Sequence, residues 1–295
     1  MYKKISIVLP AKNESAALIH LLPQLKRTMP DAEIIVVDDG STDDTIRICI
    51  EHQVSVISHP YGMGNGAAIK TGARAAKGEI IVFMDADGQH KPEDIPRLLK
   101  KMAEGYDMVV GARDYASQAG MHRAFANSFY NRLSSWMVGQ KISDLTSGFR
   151  AVKAKKFRKF LYLLPNTFSY PTTTTMSFFR AGFGVAYIPI QAPKRIGKSH
   201  VNVFRDGFRF LLIIIKVGTL YSPQKLFLPI SLSFFLTGLG HYLYTYLSIH
   251  RFTNMSALMF ISSILTFLIG IVSEQVSALH YKDSGTEENS DESRS

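Results

Sequence analysis

Two apolar runs near the carboxyl end constrain this chain more than any other feature. Leu226 to Ile249 is 24 residues without a formal charge, counting His241 as neutral, and Phe252 to Ser273 is a further 22. At about 1.5 Å per residue, either run as a helix spans a hydrocarbon core of roughly 30 Å. His250-Arg251 is the whole connection between them, so they read as a helical hairpin in a membrane. Buried core helices are the alternative, but two such long runs side by side suit a soluble domain poorly. Lys194, Arg195, Lys198, Arg205, Arg209, Lys216 and Lys225 precede the first span, against the single Arg251 in the connection. That imbalance places both termini, and everything ahead of the hairpin, on the cytoplasmic side of the cell's inner membrane.

The hairpin divides the chain into zones: 1–200 with the mixed composition of an α/β domain, 201–224 as an amphipathic juxtamembrane segment, 225–280 as the hairpin, and 281–295 as an acidic tail expected to be disordered. Val203 to Leu220 predicts a helix lying at the interface, with Arg205, Arg209 and Lys216 near one face and Phe204, Phe208, Leu211 and Ile215 on another. In the tail, two cations stand against five acids, for a net −3. The overall charge of +10 therefore hides +13 ahead of it, which suits an anionic partner such as a phosphate, a lipid headgroup or a nucleic acid. Many of these cations cluster beside the spans and form no aromatic-interleaved patch, so a nucleic acid is not expected. The lone Cys49 excludes an internal disulfide or a cysteine metal cluster. After Lys3-Lys4 the apolar run Ile5 to Pro10 is too short for the core of a secretory signal.

Within residues 1–200, strands and helices alternate. Ile5 to Leu9, Glu33 to Val37, Val54 to Ile57, Ile80 to Met84 and Met108 to Val110 read as strands. The helices between them are Glu14 to Arg27, kinked or shortened at Pro23, a capped segment to about His52, Ala67 to Ala76 and Ile95 to Ala103. His122 to Val138 adds a helix and Val185 to Ile190 a strand. The pattern predicts an α/β fold with a mostly parallel sheet and helices on both faces. Ligands in such sheets bind outside the carboxyl ends of the strands. Three strands end in polar clusters: Pro10 to Glu14, Asp38-Asp39, and Asp85-Ala86-Asp87-Gly88-Gln89. Side chains at i and i+2 of an extended segment share a face, so Asp85 and Asp87 converge on one point, with the Gln89 amide able to follow. Two like charges about 4 Å apart repel by about 4 kcal/mol at an effective dielectric near 20, and a divalent cation with oxygen ligands reverses that cost. A solvated turn is the plain alternative for this pair, and helix capping the alternative for Asp38, Asp39 and Asp43. Gly64-Asn65-Gly66 lacks the spacing of a dinucleotide fingerprint. Gly197-Lys198-Ser199 lacks the earlier glycine of a phosphate loop, since Ala192 stands there. Arg113 and Arg150 are candidates for phosphate oxygens, and Asp144 is either a general base or a turn cap.

Taken in order, Val8-Leu9-Pro10-Ala11-Lys12-Asn13-Glu14, Val37-Asp38-Asp39-Gly40-Ser41-Thr42-Asp43, Gly64-Asn65-Gly66-Ala67, Asp85-Ala86-Asp87-Gly88-Gln89-His90 and Ser147-Gly148-Phe149-Arg150 resemble the family-2 glycosyltransferases of the dolichol-phosphate mannose synthase type. The resemblance covers about residues 4 to 200. The hairpin is similar to that of members that glycosylate a polyprenyl phosphate. The resemblance implies a nucleotide-binding sheet of the GT-A type. In it, Pro10, Lys12, Glu14, Val37, Asp39, Asp85 and Ala86 contact a nucleotide-diphosphate sugar, and Asp85, Asp87 and Gln89 hold Mg²⁺ or Mn²⁺ against its diphosphate. It implies further that Arg113 meets the donor and Arg150 the acceptor phosphate. The loop Lys194 to His200 departs from the family's Arg-x-x-Gly-x-Ser-Lys: Lys194 takes the arginine position and His200 the lysine position, with Arg195 and Lys198 as further cations. The activity implied is inverting transfer of a hexose to undecaprenyl or dolichyl phosphate, by a chain that could pack against copies of itself through its spans. A processive polysaccharide synthase would use the same domain, but the sole Trp136 stands in no Gln-x-x-Arg-Trp motif and two spans are few for a channel. A membrane module that binds nucleotide or lipid without catalysis is the other alternative.

Overall fold

A computed structural model of the chain describes residues 4–113, 121–166, 169–191, 215, 218–219 and 221–292. The chain divides into two compact units, one holding most of residues 1–206 and the other the carboxyl-terminal hairpin.

The first unit is built on seven strands: β1 (Ile5–Ala11), β2 (Glu33–Asp38), β3 (Ser55–Ser58), β4 (Ile80–Phe83), β5 (Met108–Arg113), β6 (Arg150–Lys153) and β7 (Val185–Ile190). Helices α1 (Ser15–Thr28), α2 (Thr45–Glu51), α3 (Asn65–Ala75), α4 (Ile95–Met102), α5 (Met121–Val138), α6 (Ala154–Arg158) and α7 (Tyr170–Arg180) fall between them. The strand order is β3-β2-β1-β4-β6-β5-β7. β1 pairs in parallel with β2 and β4, β2 with β3, and β5 with β7. The mostly parallel sheet expected from the alternation is present. Its exception is β6, antiparallel to both neighbours, with Phe83 opposite Arg150 and Val110 opposite Arg150. This register brings the start of β6 to the edge where β1, β4 and β5 end, so the residues just before Arg150 join the strand-end clusters of the sequence.

The continuous apolar strands are buried on both faces, as a sheet covered by helices requires. Ile7, Leu9, Val36, Ile80 and Val82 pack with Leu18, Leu22 and Leu25 of α1, with Ile95 and Leu98 of α4, and with Cys49, which is a small core residue. Helix α1 runs through Pro23 without ending there, because Leu18, Leu21, Leu22 and Leu25 bury on either side of the proline. Helix α3 lies close enough on the sheet that a Cβ at Gly72 would overlap Val8.

The second unit contains α8 (Pro223–Ile249) and α9 (Asn254–Glu292). Both are long and apolar enough to cross a membrane, over Pro223–Ile249 and Asn254–Leu279. With most of their large apolar side chains exposed, these are not core helices of a soluble protein. The pair is joined by reciprocal bonds: Ser231 Oγ donates to Ser263 O at 2.9 Å and Ser263 Oγ to Ser231 O at 2.9 Å. Gly238 lets Met259 and Phe260 approach closely, and Gly270 does the same for Phe227, the small-residue packing expected between helices in lipid. His250 turns the chain in the left-handed conformation, φ 50°. Helix α9 continues to Glu292, where the sequence predicts a disordered tail. No proline and one glycine, Gly285, follow Leu279, so a helix nucleated in the apolar span meets no backbone break. Most of the expected interfacial helix lies outside the described residues.

Candidate active site

A cleft of about 530 Å³ opens at the carboxyl ends of β1, β2 and β4. Pro10, Lys12, Glu14, Asp39, Asp85, Ala86, Asp87 and Gln89, all singled out in the sequence, line it together. Gly62, Gly64, Asn65, Thr146, Gly148, Tyr170 and Pro171 complete the walls. Val37 does not line the cleft. Its side chain is fully buried in the sheet, opposite Pro10 in register, because its side of the strand faces the core.

The acids after β2 divide between cleft and turn. Asp38 Oδ1 accepts the Ser41 N–H at 3.1 Å, closing the turn. Asp43 accepts the N–H groups of Thr45 and Ser15, each at 3.1 Å, fastening the start of α1 to that of α2. Asp39 alone of the three reaches the cleft. Its Oδ1 accepts Met63 N–H at 2.7 Å and lies 2.8 Å from His59 Nδ1, while Oδ2 accepts Gly64 N–H at 2.9 Å. Burial pushes its pKa up, but the histidine and the two amides more than offset that and hold the carboxyl below its ordinary range.

Asp85 and Asp87 follow β4, and Gly88, at φ 75°, turns the backbone so that Gln89 N–H reaches Asp87 Oδ1 at 3.1 Å. The Asp85 side chain is 34% exposed. Behind it, His90 is buried and stacked on Phe149, with ring centroids 4.9 Å apart. Its Nδ1 accepts the Asp85 N–H at 3.3 Å, which puts the ring proton on Nε2. Burial pushes His90 down to about 4, so it supports the loop as a neutral ring. Across the cleft, a Cβ at Gly148 would sit 2.8 Å from Asp85 Oδ2 and 3.2 Å from the Tyr170 hydroxyl. Among the described residues no cluster of three or more His, Cys, Asp or Glu could hold a metal ion. Two carboxylates and an amide suit a different arrangement: a divalent cation kept by one or two acids and completed by phosphate oxygens and water. Asp85, Asp87 and Gln89 fit that chemistry.

Arg113 and Asp144 form one unit. Arg113 Nε donates to Asp144 Oδ2 at 2.9 Å and Nη2 to Oδ1 at 3.1 Å, while Nη2 also donates to Thr146 Oγ1 at 2.7 Å. Asp144 further accepts the N–H groups of Thr146 and Ser147. Although burial raises its pKa, Arg113 and these donors hold it below the ordinary range. A carboxylate so occupied and so acidic is a poor general base, and here it aims Arg113 beside Thr146 of the cleft wall. Arg150, expected at an acceptor phosphate, is completely buried, because its register opposite Phe83 and Val110 sends it beneath the cleft wall. There it donates to Ser147 O, to Pro171 O at 3.0 Å and to Thr175 Oγ1 at 3.3 Å, with its guanidinium 6.0 Å from the Tyr170 ring centroid. It ties the 146–148 wall to the start of α7. Lys194, Arg195, Lys198 and His200 lie outside the described residues. Sequence reasoning passed over His59, His90 and Tyr170. His90 stood inside a quoted motif, but nothing in the sequence shows the 22-residue separation of Gly148 and Tyr170 closing.

The fold of the sheet and its helices is shared with solved glucosyl-3-phosphoglycerate synthases from Mycobacterium tuberculosis. One in complex with Mn²⁺, UDP and phosphoglyceric acid superposes with a TM-score of 0.61 at 22% identity, over 73% of this chain and 78% of that one. Another, with Mg²⁺ and UDP, gives 0.61 at 22%, over 73% and 79%. Residues 6–161 match the family described as Glycosyl transferase family 2, and residues 222–279 match the GtrB C-terminal hairpin. The chain belongs to glycosyl transferase family 2. It is 32% identical over 189 residues to an undecaprenyl-phosphate 4-deoxy-4-formamido-L-arabinose transferase from Photorhabdus laumondii, covering 58% of each chain. It is 33% identical over 186 residues to the protein of that name from Klebsiella pneumoniae strain 342, covering 57% of each. The chain thus spans less than three fifths of the length of these curated relatives.

Proposed function

We propose that this chain transfers a hexose, with inversion, from a nucleotide-diphosphate sugar to a polyprenyl phosphate at the cytoplasmic face of the inner membrane. The observation that carries the proposal is the meeting of Asp39, Asp85, Asp87 and Gln89 in one cleft at the strand ends. The names of the relatives, which include undecaprenyl phosphate, and the UDP and divalent metals of the solved neighbours point the same way.

In this reading Pro10, Glu14 and Asp39 hold the base and ribose, and Lys12 approaches the diphosphate. Asp85, Asp87 and Gln89 hold Mg²⁺ or Mn²⁺, which would neutralise the departing nucleotide diphosphate. Arg113, fixed by Asp144 and Thr146, supplies a second positive charge at the same stage. The acceptor is already an anion near neutral pH, so attack on the sugar carbon needs no general base. Lys194, Arg195, Lys198 and His200 are the cations available to the acceptor phosphate. The excess of cations ahead of the hairpin supports cytoplasmic termini, and the exposed hairpin faces are a surface on which copies could associate.

Purified chain given undecaprenyl phosphate, Mn²⁺ and a panel of nucleotide sugars is expected to make a lipid-linked sugar. Asp87→Ala should abolish it, and full turnover by that variant would remove the metal from the reading.

A further inference from the structure

The carboxylate of Asp39 has room for about four hydrogen-bond donors, and among the described residues three places are taken: Met63 N–H and His59 on Oδ1, and Gly64 N–H on Oδ2. One acceptor position on Oδ2 therefore remains for anything that enters the cleft. The histidine decides which oxygen that is. His59 and Asp39 side chains are 7% and 8% exposed, so solvent does not compete for the contact. A carboxylate only accepts, which puts a ring proton on Nδ1, while Nε2 lies 2.9 Å from the Thr71 hydroxyl on α3. His59 N–H also donates to Asp38 O at 2.8 Å, fixing the residue's backbone against the end of β2. The imidazole is thus held from three sides.

We propose that His59 is a positioning residue for the nucleotide donor: braced by Thr71, it locks the Asp39 carboxylate so that its one remaining acceptor position faces a base N–H or ribose O–H. This rests on the transferase reading above. His59 does not touch the ligand. Its loss leaves Asp39 held by the Met63 and Gly64 N–H groups alone, with a second acceptor position, on Oδ1, unfilled.

The test is calorimetric titration of UDP and of GDP, each with Mn²⁺, into the full chain in detergent micelles. His59→Leu is expected to weaken the better-bound nucleotide about tenfold, and His59→Asn, which restores an N–H toward Asp39, by less than about threefold. His59→Leu combined with Asp39→Asn should bind no more weakly than Asp39→Asn alone, since residues acting as one unit are not additive. In the transfer assay His59→Leu should raise the donor KM with kcat changed less than about twofold. Should His59→Leu fail to fold, Thr71→Val removes only the far brace, and a loss of about threefold is expected. Unaltered affinity in His59→Leu, or in Thr71→Val where it stands in, or additive losses in the double variant, would overturn the role of His59 alone. A wild-type chain that binds neither nucleotide would overturn the transferase reading, and this one with it.

Discussion

At the scale of single residues, the metal candidate depends on a side chain that is not there. Gly148 lies so close to Asp85 that any Cβ would press on Oδ2. Gly148→Ala should leave the sheet intact and turn Asp85 away from Asp87, raising the Mn²⁺ concentration for half-maximal activity about tenfold, or about 1.4 kcal/mol. Metal titration of the transfer reaction checks this. Asp144 gives a prediction in pH. Its native pKa lies below the ordinary value of 3.8, so the pair with Arg113 stabilises the fold fully above about pH 5 and loses that contribution as pH falls through the depressed native value. Asp144→Asn should therefore cost about 3 kcal/mol near neutrality, and the gap to wild type should begin to narrow below about pH 4 and keep narrowing as pH falls further, in denaturant titrations. Residue type alone left two of these groups open. Asp144 and Arg150 are the charges a reader expects on a substrate, and only burial distinguishes a group facing a ligand from one bonded to the fold's own carbonyls. Asp85, Asp87 and Gln89 were legible because period-two geometry at a strand end is local.

Among the elements, α3 governs how closely the loop ahead of it is held at the cleft. Its amino end contributes Gly64 and Asn65 to the cleft, and Gly72 seats its middle on Val8. Alanine is favoured over glycine in a helix by about 1 kcal/mol, yet the new methyl must displace Val8, and overpacking of this kind costs about 1–3 kcal/mol. Gly72→Ala should lower the melting temperature by a few degrees, and Val8→Ala in the same chain should recover part of that loss; melting curves of the two variants decide it. The strands and most helices were legible because apolar runs and strand-end acids repeat in order. The antiparallel β6 was not, since a four-residue extended segment carries no sign of its direction. The continuation of α9 past Leu279 was missed for a related reason: composition reports what a segment can bury, not the helix it inherits from its neighbour.

For the whole molecule, the charge distribution makes a topological claim. With Cys49 replaced, a cysteine at Arg251 should react with an impermeant thiol reagent from outside intact cells, while one at Glu51 should react after the membrane is opened. The reverse pattern would place the cleft on the wrong side of the membrane. A different consequence follows from the order of the sheet. β1 to β4 come from one unbroken stretch, Ile5 to Phe83, and carry one wall of the cleft and, just beyond, the paired acids. The opposite wall is delivered by chain that leaves the sheet after β5 and re-enters it at β6, from the same edge at which the cleft opens. That excursion can be lengthened or exchanged without changing the register of the first four strands. The fold therefore lets the far wall of the cleft vary apart from the strands that carry the paired acids, and chimeras joined between Gln89 and Arg150 are the natural way to exchange that wall.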